Sequence, residues 1–77
     1  MTTTAAVSNR TYTINNDHAF MYEHRTNWIV GIVDSRYAGS GVYEMTVAPI
    51  VASEGPAIVV DSSESFVCYK DDLIELE

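Results

Sequence analysis

Trp28-Ile29-Val30-Gly31-Ile32-Val33, the turn Ala38-Gly39-Ser40-Gly41 and Val42-Tyr43-Glu44-Met45-Thr46-Val47 decide the fold. The first run is β-branched and aromatic, too short for a typical helix, and ends at the polar pair Asp34-Ser35. The glycine in its middle predicts a bulge, a bend or a close backbone approach. The second run alternates, which predicts a half-buried strand with Tyr43, Met45 and Val47 toward the core. Two such runs around a glycine turn read as a hairpin.

Toward the N-terminus, Ala19-Phe20-Met21-Tyr22-Glu23 reads as a strand with Phe20 and Tyr22 on one side. Asn15-Asn16-Asp17 is a turn, and Thr11-Tyr12-Thr13-Ile14 alternates as a strand should. Residues 1–9 are small and polar and read as a flexible tail, leaving residues 10–77 as a single small β domain. Toward the C-terminus, Pro49 and Pro56 bracket a weaker segment, and Ser53-Glu54-Gly55-Pro56 is a turn by composition. Ala57-Ile58-Val59-Val60 and Phe66-Val67-Cys68-Tyr69 are short apolar strands. Asp71 or Asp72 can cap a single helical turn near residues 71–74, after which Ile74 and Leu76 return to the sheet. No segment keeps a 3.6-residue period, so no long helix is expected. The expectation is an all-β, mainly antiparallel domain, a small barrel of five to seven short strands whose closure would remove exposed edges.

Composition narrows the class. The 77 residues carry eleven acids and four bases, a net charge of −7. Residues 1–52 hold four acids and three bases, residues 53–77 seven acids and one base. Scattered bases cannot neutralise a phosphate backbone, so direct nucleic-acid binding is not expected. An acidic C-terminal quarter can steer a basic partner, and it also serves solubility. The single cysteine, Cys68, excludes an internal disulfide and a cysteine-rich zinc site, and points to the reducing cytoplasm. The N-terminal stretch does not read as a signal peptide, and no window has the roughly 20 apolar residues of a membrane helix.

The order of elements resembles SH3-like barrels of the Tudor and KOW kind. The resemblance rests on Trp28-Ile29-Val30-Gly31-Ile32-Val33, the glycine turn, Tyr43-Glu44-Met45-Thr46-Val47 and the closing Val67-Cys68-Tyr69-Lys70-Asp71-Asp72-Leu73-Ile74-Glu75-Leu76. It covers roughly residues 18–77 and is a pattern of elements, not a motif. The chain departs from that pattern in the extra apolar stretch at 48–60 and in lacking a basic loop of the KOW type. Tudor-like barrels hold methylated lysine or arginine in aromatic cages, and the resemblance makes Tyr22, Trp28 and Tyr43, with Glu44 or Asp34, the cage candidates. The competing expectation is that these rings fill the core.

Catalytic and metal chemistry find little support. His18 and His24, six residues apart on an extended strand, would lie about 20 Å apart and could not share a metal without a sharp bend. Cys68 sits in an apolar strand as a buried small hydrophobe, with Phe66 and Cys68 on one face and Val67 and Tyr69 on the other. Gly39-Ser40-Gly41 lacks the length and the lysine of a phosphate loop. The chain is expected not to be an enzyme, and to hold no cofactor or metal. It reads as a protein-interaction module of the small phage-inhibitor type, binding a basic nucleic-acid-handling protein. Its partner-binding candidates are Glu54, Asp61, Glu64, Asp71, Asp72 and Glu75 with Tyr22, Trp28 and Tyr43. The alternative is a structural subunit of a virion or other assembly, or a homo-oligomer, with Ile50, Val51 and Ile58 at an apolar interface.

Overall fold

The computed structural model describes residues 3–23 and 25–76; of Thr26 it describes the backbone alone. Among the described residues seven strands form one antiparallel sheet: β1 (Thr3–Ala5), β2 (Thr11–Ile14), β3 (Val30–Gly39), β4 (Val42–Glu54), β5 (Ala57–Asp61), β6 (Phe66–Tyr69) and β7 (Leu73–Leu76). The order is β1-β5-β4-β3-β2-β7, with β6 also on β4. The all-β antiparallel expectation holds. The closed barrel does not: among the described residues no ladder joins β7 to β6 or to β1, and the sheet stays open.

The predicted hairpin is the spine. β3 and β4 pair from Val30↔Pro49 to Gly39↔Val42, with irregularities between Ile32 and Asp34 and between Tyr37 and Gly39. Gly39 and Gly41 both take positive φ at the turn, where a side chain would be strained. On its other edge β4 pairs first with β6, from Glu44↔Tyr69 to Val47↔Phe66, and then with β5, from Ile50↔Val60 to Glu54↔Ala57. Pro49 sits at the hand-over. The Ile50 N–H donates to Ile29 O at 3.1 Å on the β3 side, so by alternation the missing Pro49 donor falls on the opposite edge, between the end of β5 and the start of β6.

Three expectations are corrected. Residues 1–9 are not a tail as far as they are described. β1 pairs with β5 from Thr3↔Asp61 to Ala5↔Val59, and the Ala6 and Val7 amides each donate at 2.8 Å, to Ile58 O and Ile32 O. The backbone hydrogen bonds, not an apolar pattern, hold this segment. Residues 19–23 are not a strand: Asn16–Tyr22 forms 3₁₀ turns broken by a kink at His18. The Asn15 side chain caps it by accepting from the Asp17 N–H, and Glu23 ends it in the left-handed region at φ 55°. Phe20 and Tyr22 therefore part company, one 79% exposed and the other buried. Instead of at most one helical turn, further 3₁₀ segments lie at Arg25–Asn27, Ser62–Glu64 and Lys70–Asp72, the last close to the turn expected near 71–74.

Gly31 makes the close approach its position suggested. A Cβ there would lie 3.0 Å from Val60 Cγ1 and 3.2 Å from Ala6 Cβ. Two hydrophobic clusters result. Ile14, Tyr22, Val30, Ile32, Met45, Val47 and Cys68 form the larger one, flanked by Tyr12, Trp28, Phe66 and Leu73. Ala48, Ile58 and Val60 form the smaller one, flanked by Ala6, Val33 and Ile50. Ile58 is core rather than interface, while Val51 is exposed.

Candidate functional site

A half-open pocket of about 400 Å³ lies where the capped segment after β2, the β3–β4 turn and the Lys70–Asp72 segment meet. His18, Tyr43, Tyr69, Lys70, Asp71 and Asp72 line it. Alternation along β6 turns Cys68 inward and Tyr69 outward, so Tyr69 is 43% exposed beside the pocket. Tyr43 was expected in the core and is 41% exposed, because β3 and β4 continue past the aromatic cluster as a free hairpin tip. Its ring stacks at 5.0 Å, tilted by 56°, against Tyr37, whose hydroxyl accepts from the Gly41 N–H at 3.0 Å. The hairpin tip is thus stitched by its own tyrosine.

Asp72 is 6% exposed and anchors the pocket wall. Its carboxylate accepts from the Tyr22 hydroxyl, and the His18 imidazole Nδ1 lies 2.6 Å from the other oxygen. The Tyr22 oxygen in turn accepts from the Tyr69 N–H at 3.3 Å, and Asp72 O accepts from the Asn15 N–H at 2.6 Å. These bonds sew the segment after β2 to the β6–β7 connection. Burial and the adjacent Asp72 carboxylate raise the Tyr22 phenol above its ordinary range. Burial, with Asp72 adding, pushes the Cys68 thiol up to about 12. The thiolate is therefore scarce at neutral pH, as a buried structural cysteine requires.

The remaining candidates scatter. Asp61 is buried and caps Ser62–Glu64, accepting from the Ser63 N–H at 3.1 Å and its hydroxyl at 2.5 Å. Glu75 is exposed and pairs with Arg10 at 2.5 Å. Glu54, Glu64 and Asp71 are exposed, and none makes an ion pair among the described residues.

The aromatic cage does not assemble either. Tyr22 is in the core. Trp28 is half-buried, edge-on to Phe66 at 6.1 Å, with the Arg25 guanidinium 5.4 Å from its ring. Glu44 and Asp34 line a different pocket with Arg36, which pairs with Glu44. Of the nine partner-binding candidates, Tyr43, Asp71 and Asp72 come together. His18, Tyr69 and Lys70 join them unforeseen as a group. The outward alternation of Tyr69 was the available signal; the 54-residue separation of His18 from Asp72 left none.

His24 lies outside the described residues, so its pairing with His18 has no structural counterpart here. Among the described residues no cluster of three or more His, Cys, Asp or Glu side chains could hold a metal ion. No helix among them is long and apolar enough to cross a membrane. The fold and pocket define the class: a small, open, antiparallel all-β domain with a tyrosine-walled pocket at one end. Comparison with protein-family models, curated proteins and solved structures finds no match.

Proposed function

We propose that the chain is a non-catalytic, cytoplasmic interaction module that binds a basic protein through the face carrying Tyr43, Tyr69 and Asp71. The single observation behind this reading is the exposure of two tyrosines beside a carboxylate that has no base partner among the described residues, on a chain of net charge −7. Tyrosine supplies large contact area at low conformational cost, and surplus carboxylate steers a basic surface toward it. A small phage-type inhibitor of a nucleic-acid-handling protein fits that chemistry. The strand order β7-β2-β3-β4-β6 supports an SH3-like arrangement of five strands, to which the β1–β5 pair has been added.

The test is capture of basic proteins on the tagged chain at low and high salt, repeated with Tyr43→Leu/Tyr69→Leu/Asp71→Lys, all exposed positions of that face. Salt-sensitive capture of one basic protein, lost in the triple variant, is the expected result. Equal capture by the triple variant would sink the reading. A second reading, self-association as a structural subunit, is favoured by Phe20 and Met21, neighbours that are 79% and 55% exposed. Light scattering that stays monomeric at high concentration would remove it.

A further inference from the structure

We infer that the tyrosine-walled pocket receives an arginine side chain of the basic partner, and that Lys70 is its displaceable resting occupant; the inference rests on the partner reading above. The seating of the chain's own bases points this way. Arg10 pairs with Glu75 at 2.5 Å, Arg25 with Glu23 at 3.3 Å, and Arg36 with Glu44. Lys70 has no carboxylate partner among the described residues, although Asp71 and Asp72 follow it directly. Its ammonium instead lies 5.1 Å from the centroid of the Tyr43 ring. That ring already holds a cation.

The pocket's carboxylates divide by role. Asp72 is spent on Tyr22 and His18, whereas Asp71 is exposed and uncommitted beside the rings. Lys70 reaches the ring without engaging a carboxylate, so its seat is half a site. A guanidinium can do both at once, stacking its plane on a tyrosine face while pairing two N–H groups with Asp71. An ammonium is a point charge and gains less from that geometry. Lys70 is exposed and its contact is a single surface cation–π pair, the weak kind. An incoming arginine displaces it readily, and the freed ammonium returns to water. Lys70 thus sets a threshold: a lone lysine competes poorly with the resident one, and an arginine wins.

The experiment is an NMR titration of the ¹⁵N-labelled chain with N-acetyl-arginine amide. N-acetyl-citrulline amide serves as the uncharged isostere and Nα-acetyl-lysine amide as the competing cation. Arginine should give saturable shifts at the Tyr43, Tyr69 and Lys70 amides, with lysine weaker and citrulline silent. Lys70→Met, which keeps the stem and removes the charge, should tighten arginine binding by about threefold or more. Tyr43→Leu and Asp71→Asn should each weaken it by a similar factor, and both positions are exposed enough to leave the fold intact. Unchanged affinity in Lys70→Met, equal response to citrulline, or shifts centred on Glu54 and Glu64 would overturn the assignment. Salt-sensitive protein capture without pocket shifts would overturn the pocket and leave the partner reading standing. Pocket shifts without any captured basic protein would do the reverse.

Discussion

Met45 and Val47 of β4 pack into an aromatic cluster, whereas Ala48 and Ile50, directly beyond them, pack into an aliphatic one. The first cluster has Tyr12, Tyr22, Trp28 and Phe66 among its members and is sealed by the Tyr22–Asp72–His18 bonds. The second has three buried residues, flanked by Val33, Ile50 and Ala6, the last directly after a three-residue edge strand. One strand therefore serves a region stiffened by rings and buried hydrogen bonds and another held by a thin backbone strap. The candidate pocket sits on the stiff side, where a proposed binding surface would gain most from being pre-formed. The strapped side is the natural place for local opening.

Paired truncations test this contrast most severely. Ile14→Ala and Ile58→Ala remove the same atoms from buried sites in the two clusters. Truncations of this kind cost about 2–5 kcal/mol, and the spread follows how far the site can collapse. Ile14, among rigid rings, should fall at the top of that range, and Ile58, under the strap, at the bottom. Urea denaturation reads both as midpoint shifts at constant slope. Equal costs would abolish the distinction between the regions.

Tyr22→Phe comes next. It strips a donor from buried Asp72 and an acceptor from the Tyr69 N–H, at about 1–3 kcal/mol for the groups left unsatisfied. The loss should reach the pocket, broadening the Tyr43 and Tyr69 resonances while the β1–β5 amides stay unchanged. Gly31→Ala is its counterpart on the other side. Its methyl would press on Val60 and Ala6, and overpacking costs about 1–3 kcal/mol, less where a strap can lift. Hydrogen exchange should speed at the Ala6 and Val7 amides and leave the Asn15 amide protected. Exchange that rises uniformly would mean a single cooperative unit.

The same contrast explains what could be read in advance. The β3–β4 hairpin, β2, β5 and β6 were legible because each is an alternating, β-branched or apolar run with turn chemistry at its ends. Gly31 announced a bulge, a bend or a close approach, and the structure shows a close approach to Val60 and Ala6. The strand β1 was illegible because Thr3-Thr4-Ala5 has no pattern of its own and owes its conformation to β5. Phe20 and Tyr22 misled through period: alternation suggested a strand, but the Asn15 cap wound the segment into a 3₁₀ helix. For the site, residue types were easier than places. Tyr43 was singled out with the aromatics and Asp71 and Asp72 with the C-terminal acids, and the structure lines one pocket with all three. That Asp72 would be buried under His18 and Tyr22 depends on contacts 54 and 50 residues apart, which no local pattern encodes.

Alkaline pH supplies the mildest test, and it acts on one region alone. Burial lifts the Cys68 thiol from 9.0 to about 12 and raises the Tyr22 phenol as well, and both belong to the aromatic cluster. Between pH 9.0 and about 12 the unfolded chain loses the Cys68 proton while the folded chain keeps it. With fewer protons on the unfolded state, stability falls as pH rises. The contribution is thus complete below pH 9.0 and is lost as pH climbs through about 12. Cys68→Ala should flatten the fall without removing it, since Tyr22 remains. At neutral pH the native thiol should react with a disulfide reagent far more slowly than the urea-unfolded chain. Its rate should follow global unfolding, because Cys68 lies in the stiff region and not under the strap. A rate that instead tracked the opening of Ala6 and Val7 would mean that lifting the strap also opens the aromatic cluster, and the two regions would not be separate.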